Sequence, residues 1–151
     1  MTRDVLVSAL KGWTGKASAT IIYDSDVDEF TADGLFNKVK GKRNIALVPF
    51  TADGDVFGGF YNVPVTEQHK EFNDPNMFIF SFESRGRCMV PQRFVEKDFV
   101  KNIKHVWFWE DNSFGWFVNF GCDYGFFILG NEKSDTKCAY LSYCYVGIED
   151  D

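Results

Sequence analysis

The chain has 151 residues, a net charge of −6 and a sequence pI near 4.9. This acidic balance argues against nucleic-acid binding, because phosphate neutralisation supplies most of the affinity in such complexes. The four cysteines have no Cys-x-x-Cys spacing, which argues against zinc ribbons and thioredoxin-type sites, and no apolar run approaches the ~20 residues of a membrane span. We therefore expect one intracellular domain, residues 1–151, in the cytoplasm or the nucleus.

Aromatic residues make up 18% of the chain, and 17 of them are Phe. Phe has a large apolar surface and no polar group, so most of these rings must lie in a core or an interface. Long runs of helical periodicity are few. The composition therefore predicts a protein dominated by β-strands.

The first part of the chain predicts two strands on either side of a short helix. Ala19–Tyr23 is rich in β-branched residues and reads as a strand. Thr31 is a candidate N-cap for a helix that ends at Gly41. Arg43–Phe50 is the next predicted strand, and Pro49 ends it or comes just before its end.

A hairpin is predicted around residues 53–54, where an Asp-Gly pair lies between apolar runs. Early in its second strand, Gly58 and Gly59 stand between Phe57 and Phe60. Two glycines weaken a strand unless another part of the chain comes very close or the strand bulges. The pair therefore predicts a close approach at this point.

The second half of the chain predicts a loop and then a series of short strands. Val63–Asn76 is polar and reads as a loop, whereas Met77–Phe82 is apolar enough to be covered on both faces. Gln92–Lys104 has apolar residues at the spacing of an amphipathic helix. Further strands are predicted at Val106–Trp109, Phe114–Phe120, Tyr124–Leu129 and Cys138–Val146, with a turn around Gly121. The pattern predicts an α+β, β-dominated fold, a two-sheet antiparallel β-sandwich with a few short helices.

Residues 24–33, here called the acid-rich segment, are the candidate interaction surface. The segment has no basic residue and contains five acids, Asp24, Asp26, Asp28, Glu29 and Asp33. Its start resembles a calcium-binding EF-hand loop, but Glu29 and Leu35 occupy the positions that need a glycine and a bidentate glutamate. We therefore expect no metal site or cofactor here. A solvated loop and a charged protein-binding surface are the two interpretations.

No catalytic residue is predicted. Nucleophilic catalysis needs a Cys or Ser beside a His that a third group orients, and neither His69 nor His105 lies in such a signature. Two alternatives stay open. Cys122 is a candidate redox thiol, and the basic run Lys38–Arg43, together with exposed aromatic residues, is a candidate nucleic-acid contact.

Six short motifs follow one another along almost the whole chain. They are Leu10–Lys16 with Ile21–Tyr23, Asp28–Thr31 with Leu35–Phe36, Gly41–Lys42 with Ile45–Val48, Phe57–Phe60, Asp74–Phe82 and Phe120–Tyr124. In this order they resemble the TLDc domain, a family associated with oxidative-stress resistance in eukaryotes. Glu29 and Cys122 stand where the family has glycines. The resemblance implies that the structural motif positions are Trp13, Phe57, Gly58, Gly59, Phe80, Gly121 and Asp123.

The resemblance also implies a fold and a function. The family's fold is a two-sheet antiparallel β-sandwich with a few helices, in agreement with the pattern above. Its members act mainly as interaction modules without a shared catalytic constellation, and several bind the cytosolic part of the vacuolar proton ATPase. We therefore expect a non-catalytic module with a cytosolic protein partner, for which a vacuolar proton ATPase subunit is a candidate. Most members carry the domain after other segments, so we expect a minimal member or a domain excised from a longer protein.

Overall fold

The part of the chain that the structure describes forms two four-stranded antiparallel sheets and two helices. The computed structural model describes residues 3–50, 54–83, 90–95, 104–111, 116–122, 126–130 and 137–139. The strand order is β1-β2-β3-β4 in the first sheet and β5-β6-β7-β8 in the second. The elements are α1 (Arg3–Thr14), α2 (Ala32–Val39), β1 (Ile45–Leu47), β2 (Val56–Tyr61), β3 (Phe78–Glu83), β4 (Gln92–Val95), β5 (Lys104–Phe108), β6 (Trp116–Cys122), β7 (Phe126–Gly130) and β8 (Lys137–Ala139). This confirms the predicted β-dominated α+β class.

The main core lies between the two sheets. Tyr61 and Ile79 of the first sheet belong to the same buried cluster as Val106, Phe108 and Phe120 of the second. Helix α2 adds its apolar stripe to this cluster, through Leu35, Phe36 and Val39. Because each strand alternates its side chains between two faces, the inward set of both sheets meets in one layer, as in a β-sandwich.

The predicted hairpin is present between β1 and β2. These strands pair antiparallel with Leu47 opposite Gly59, and Phe50 bridges to Val56 nearer the connection. Gly54 has a φ of 90°, a conformation that strongly favours glycine. The turn residue and the strand register therefore agree with the hairpin prediction.

Helix α2 also begins where the sequence predicts. The Thr31 hydroxyl accepts a hydrogen bond of 2.9 Å from the Gly34 N–H, as an N-cap does. Beyond the helix, Gly41 has a φ of 71°, and its N–H donates to the Val65 carbonyl. The helix is therefore fixed at both ends by the residues that the sequence marks as its limits.

Helix α1 is an element that the sequence prediction missed. Leu6, Ala9, Leu10 and Trp13 lie one or two turns apart and pack on the outer face of the first sheet. This spacing is the i, i+3, i+4, i+7 pattern of an amphipathic helix, so the signal was available in the sequence. Gly15, with a φ of 71°, follows the helix and donates its N–H to the Lys11 carbonyl. The fold therefore has three layers, α1, the first sheet and the second sheet.

Three local predictions are wrong. Ala19–Tyr23 is not a strand, although Ile22 and Tyr23 still pack against the main core. Gln92–Val95, predicted as the start of a helix, is strand β4 and pairs with β3, whereas residues 96–103 lie outside the described part. Gly121 lies within β6 rather than in a turn. For the first two segments, local composition cannot reveal whether the edge of a sheet is available for pairing.

Candidate functional site

The acid-rich segment begins with a hydrogen-bonded turn. The Asp24 carbonyl accepts from the N–H groups of Val27 (3.1 Å) and Asp28 (2.7 Å). The Asp24 carboxylate accepts from the Asp26 N–H at 2.9 Å, and the Asp28 carboxylate accepts from the Asp24 N–H at 2.7 Å. The predicted surface residues are therefore brought together in one turn, in which two carboxylates satisfy backbone donors.

The turn is held to the rest of the fold by its flanks. The Tyr23 hydroxyl donates to the Glu29 carbonyl at 2.9 Å, which closes the loop across six residues. The Lys38 ammonium lies 3.7 Å from the Asp28 carboxylate. Phe30 contacts Phe117 of β6 edge-on, with ring centroids 5.2 Å apart. These contacts connect the segment to helix α2 and to strand β6.

The charges of the segment act on Tyr23. Burial raises the pKa of its hydroxyl, and the neighbouring carboxylates of Asp28, Glu29 and Asp24 raise it further. The hydroxyl therefore remains a neutral donor at physiological pH. The sequence suggested no local compensation for the acids, but the backbone donors and Lys38 provide part of it.

Gly58 and Gly59 lie at close approaches on opposite faces of β2. A Cβ at position 58 would overlap the Leu47 carbonyl and lie 2.9 Å from Cζ of Phe80. A Cβ at position 59 would lie 2.9 Å from two ring carbons of Phe120 in the second sheet. The first glycine therefore makes room on the side of α1, and the second makes room between the sheets.

The other predicted motif residues fall around this glycine pair or outside the described part. The Trp13 ring lies 5.8 Å from the ring of Phe80, which pairs with Gly58 across the strands. Phe57 is partly buried against the main core. Gly121 lies in β6, opposite both β5 and β7. Asp123 lies outside the described residues.

A polar network joins α2, the loop before β3 and the end of β5, and sequence reasoning missed it. The Asp33 N–H donates to the Asp111 carboxylate, and the Asp111 N–H donates to that of Asp33, at 3.1 and 3.2 Å. The Gln68 amide donates to the Asp33 carboxylate and to the Trp109 carbonyl. The last acid of the acid-rich segment therefore serves this junction. Asp111 is distant in sequence, so local spacing gives no signal for it.

Asp74 is a buried acid that sequence reasoning also passed over. It is 1% exposed, and its carboxylate accepts from the N–H groups of Asn62, Val63 and Asn76. Charge-assisted bonds to several backbone donors let a carboxylate remain in a core. Asp74 thus ties the loop before β3 to the end of β2, and the Asp-Pro-Asn turn signal could have identified it.

His69 and Tyr61 are two titratable residues whose side-chain surroundings the structure describes. Nε2 of His69 accepts the Glu110 N–H at 3.1 Å, and His69 also has a φ of 55° in its loop. The Tyr61 hydroxyl is buried, and burial raises its pKa well above the usual range. His105 lies in β5, and Cys122 is the last residue of β6.

The described residues contain no group of three or more His, Cys, Asp or Glu side chains placed to hold a metal ion. Neither helix in the described part is long and apolar enough to cross a membrane.

Comparison with known proteins gives one family match. Neither curated proteins nor solved structures give a match to this chain. The model of the TLDc domain, by contrast, matches residues 3–142, which is nearly the whole sequence and includes both helices and both sheets. The match covers far more than half of the chain. The chain therefore belongs to the TLDc domain family.

Proposed function

We propose that this TLDc domain is a non-catalytic interaction module that binds a cytosolic protein through its acid-rich segment, as part of an oxidative-stress response. The observation that carries the proposal is the ordered turn on which Asp24, Asp26 and Glu29 are exposed. Like charges gathered on an ordered surface steer a partner rich in Lys and Arg and reject acidic competitors. The cytosolic part of the vacuolar proton ATPase is a candidate partner, as the family resemblance implies.

The use of the polar side chains supports a binding role rather than catalysis. His69 accepts a backbone N–H, and the Tyr61 hydroxyl is enclosed in the core. A general base needs a free lone pair within reach of a substrate proton, which neither arrangement favours. The exposed carboxylates instead suit long-range attraction, which needs no catalytic geometry.

The structure indicates which acids to test. Among the described hydrogen bonds and ion pairs, the carboxylates of Asp24 and Asp28 are used inside the loop, whereas those of Asp26 and Glu29 are not. The double variant Asp26→Asn/Glu29→Gln therefore removes two charges and leaves the side-chain bonds of the turn in place. We expect it to weaken binding of the purified cytosolic sector of the vacuolar proton ATPase about tenfold, mainly through a slower association rate.

The measurement is surface plasmon resonance at several salt concentrations, with melting temperature as the check on folding. The matched control is Asp4→Asn/Glu67→Gln, which removes the same charge from two exposed acids outside the segment. The proposed surface is wrong if both double variants bind like the wild type, or if both lose binding equally. If the wild type does not bind this sector, the same comparison is made with the protein that it retains from cytosol, identified by mass spectrometry and then purified.

A further inference from the structure

The acid-rich turn also exposes apolar side chains. Val27, in the turn, is 80% exposed, Ile21 just before it is 56% exposed, and Phe30 just after it is 51% exposed. Single exposed apolar residues are common on protein surfaces. Here three lie within ten residues of the sequence, with Val27 inside the loop that the Tyr23–Glu29 hydrogen bond closes and the other two beside its ends. We call Ile21, Val27 and Phe30 the apolar set.

Two members of the apolar set are held by contacts within the fold. Val27 donates its N–H to the Asp24 carbonyl inside the turn, and the Phe30 ring rests on Phe117. Apolar side chains on an ordered turn lose little conformational entropy when they are covered. They are therefore suited to act as anchors of an interface rather than as residues that fold only on binding.

The charges beside the apolar set narrow the class of partner. Asp26 directly precedes Val27, and Glu29 directly precedes Phe30. An anionic membrane surface and a nucleic acid would both be repelled by these carboxylates, whatever apolar contact they offered. A protein segment that carries apolar side chains flanked by Lys or Arg satisfies both features at once, because the long basic side chains cover apolar surface with their methylene stems.

We propose that the apolar set and the adjacent acids bind a basic amphipathic segment of a partner protein, with Val27 as the central apolar anchor. This inference rests on the proposed function and names the chemistry of its partner. The acids set the rate of encounter and the salt dependence, whereas Val27 sets the lifetime of the complex. Substitution of the two kinds of residue therefore has different kinetic effects.

The probe is a synthetic peptide of Lys and Leu with Leu at helical spacing, and its matched control replaces each Leu by Ser at the same charge. Binding to the wild type, Val27→Ser and Asp26→Asn/Glu29→Gln is measured by isothermal titration and by amide chemical shifts. We expect the Leu peptide to bind the wild type with shifts at residues 21–30. Val27→Ser weakens this binding about tenfold with an unchanged salt slope, whereas the acid variant flattens the slope.

Several results would overturn the inference. The inference is wrong if the wild-type domain binds neither peptide, or binds both equally. It is also wrong if Val27→Ser binds the Leu peptide as tightly as the wild type does, or if the peptide changes amide chemical shifts only at Lys38–Arg43. A further contrary result is that the wild type sediments as a dimer at the same concentration, and Val27→Ser as a monomer. That result would assign the surface to a second copy of this chain.

The proposed function can be separated from this inference. A variant Val27→Ser that retains the protein partner, beside an acid variant that loses it, would leave the interaction function intact and refute the apolar anchor. If both variants lose the protein partner, the interaction function and the apolar anchor are both supported. If both variants retain it, both are refuted.

Discussion

At the scale of single residues, the two adjacent glycines of β2 perform different tasks. Neighbouring residues of a strand point to opposite faces. At position 58 an added methyl group meets the Leu47 carbonyl, which strand pairing holds in place. At position 59 it meets a side chain instead, the ring of Phe120 in the second sheet. The cost of a side chain therefore differs between the two positions.

We expect Gly58→Ala to lower the free energy of unfolding by roughly 2–4 kcal/mol, and Gly59→Val by about 2 kcal/mol or more, because both overpack a close approach. The matched control is Gly12→Ala in α1, where a Cβ meets nothing within 4 Å. It should raise the free energy of unfolding by about 0.8 kcal/mol through helix propensity. Urea denaturation measures all three. Equal midpoints for Gly58→Ala and Gly12→Ala would contradict the steric explanation.

Tyr23 reports on the electrostatics of the acid-rich segment. Its pKa lies above its ordinary value of 10.0, with burial as the largest cause and Asp28 and Glu29 as the next. The neutral hydroxyl is favoured in the folded state, so its stabilising contribution is complete below the unfolded-state pKa and is lost as pH rises through the folded-state pKa. The carboxylates of Asp28 and Glu29 contribute to the raised pKa of Tyr23. We therefore expect Asp28→Asn/Glu29→Gln to lower the pKa of Tyr23.

This shift is measured by NMR titration of a protein labelled at tyrosine Cζ. The control Asp4→Asn/Glu67→Gln should leave the titration of Tyr23 unchanged. If the pKa of Tyr23 is the same in both double variants, burial alone holds it up and the carboxylates have little influence.

At the scale of secondary-structure elements, helix α1 covers the outer face of the first sheet through Trp13. The Trp13 ring lies 5.5 Å from the ring of Phe82 in a stacked arrangement and 6.0 Å from that of Phe78 edge-on. Next to it, Arg93 of β4 lies 5.3 Å from the Phe78 ring and donates to the Trp13 carbonyl. The Trp13 side chain thus joins the helix to β3, and its backbone carbonyl joins the helix to β4.

We expect Trp13→Ala to lower the free energy of unfolding by about 3 kcal/mol, because it removes a large ring that packs against Phe78, Phe80 and Phe82. Val5→Ala, on the same helix at 45% exposure, should cost less than about 1 kcal/mol. Thermal and urea denaturation compare the two. A cost for Trp13→Ala no larger than that for Val5→Ala would show that α1 contributes little to stability.

The elements differ in how far the sequence could predict them. The hairpin and α2 were predictable because their signals are local, an Asp-Gly turn for one and the Thr31 cap for the other. The failure at Ala19–Tyr23 has a physical cause. β-Branched residues favour an extended backbone, but a strand exists only where a sheet edge accepts its hydrogen bonds.

The same distinction applies to the candidate site. The sequence places the acids together, because they are neighbours in the chain. It does not reveal that Asp24 and Asp28 bind backbone N–H groups while Asp26 and Glu29 remain outside that set. The reciprocal bond between Asp33 and Asp111 joins residues 78 positions apart, so only the folded chain shows it.

At the scale of the whole molecule, β2 lies in the middle of three layers. Phe60 belongs to the cluster under α1, whereas Tyr61 belongs to the core between the sheets. Core strands of this kind open with free energies close to that of global unfolding. β3 likewise has Phe78 in the cluster under α1 and Ile79 in the core between the sheets, so both strands connect the layers.

The glycine pair has a consequence for evolution of the sequence. Position 59 makes room for the Phe120 ring of the second sheet, whereas position 58 faces the backbone carbonyl of Leu47, so only Gly59 forms a pair with a side chain whose change can compensate for its own. A larger residue at 59 becomes acceptable when Phe120 becomes smaller, and this exchange leaves Gly58 and Phe80 unaffected. The strand thus carries two independent constraints side by side, and variation in one layer of the domain need not spread to the other.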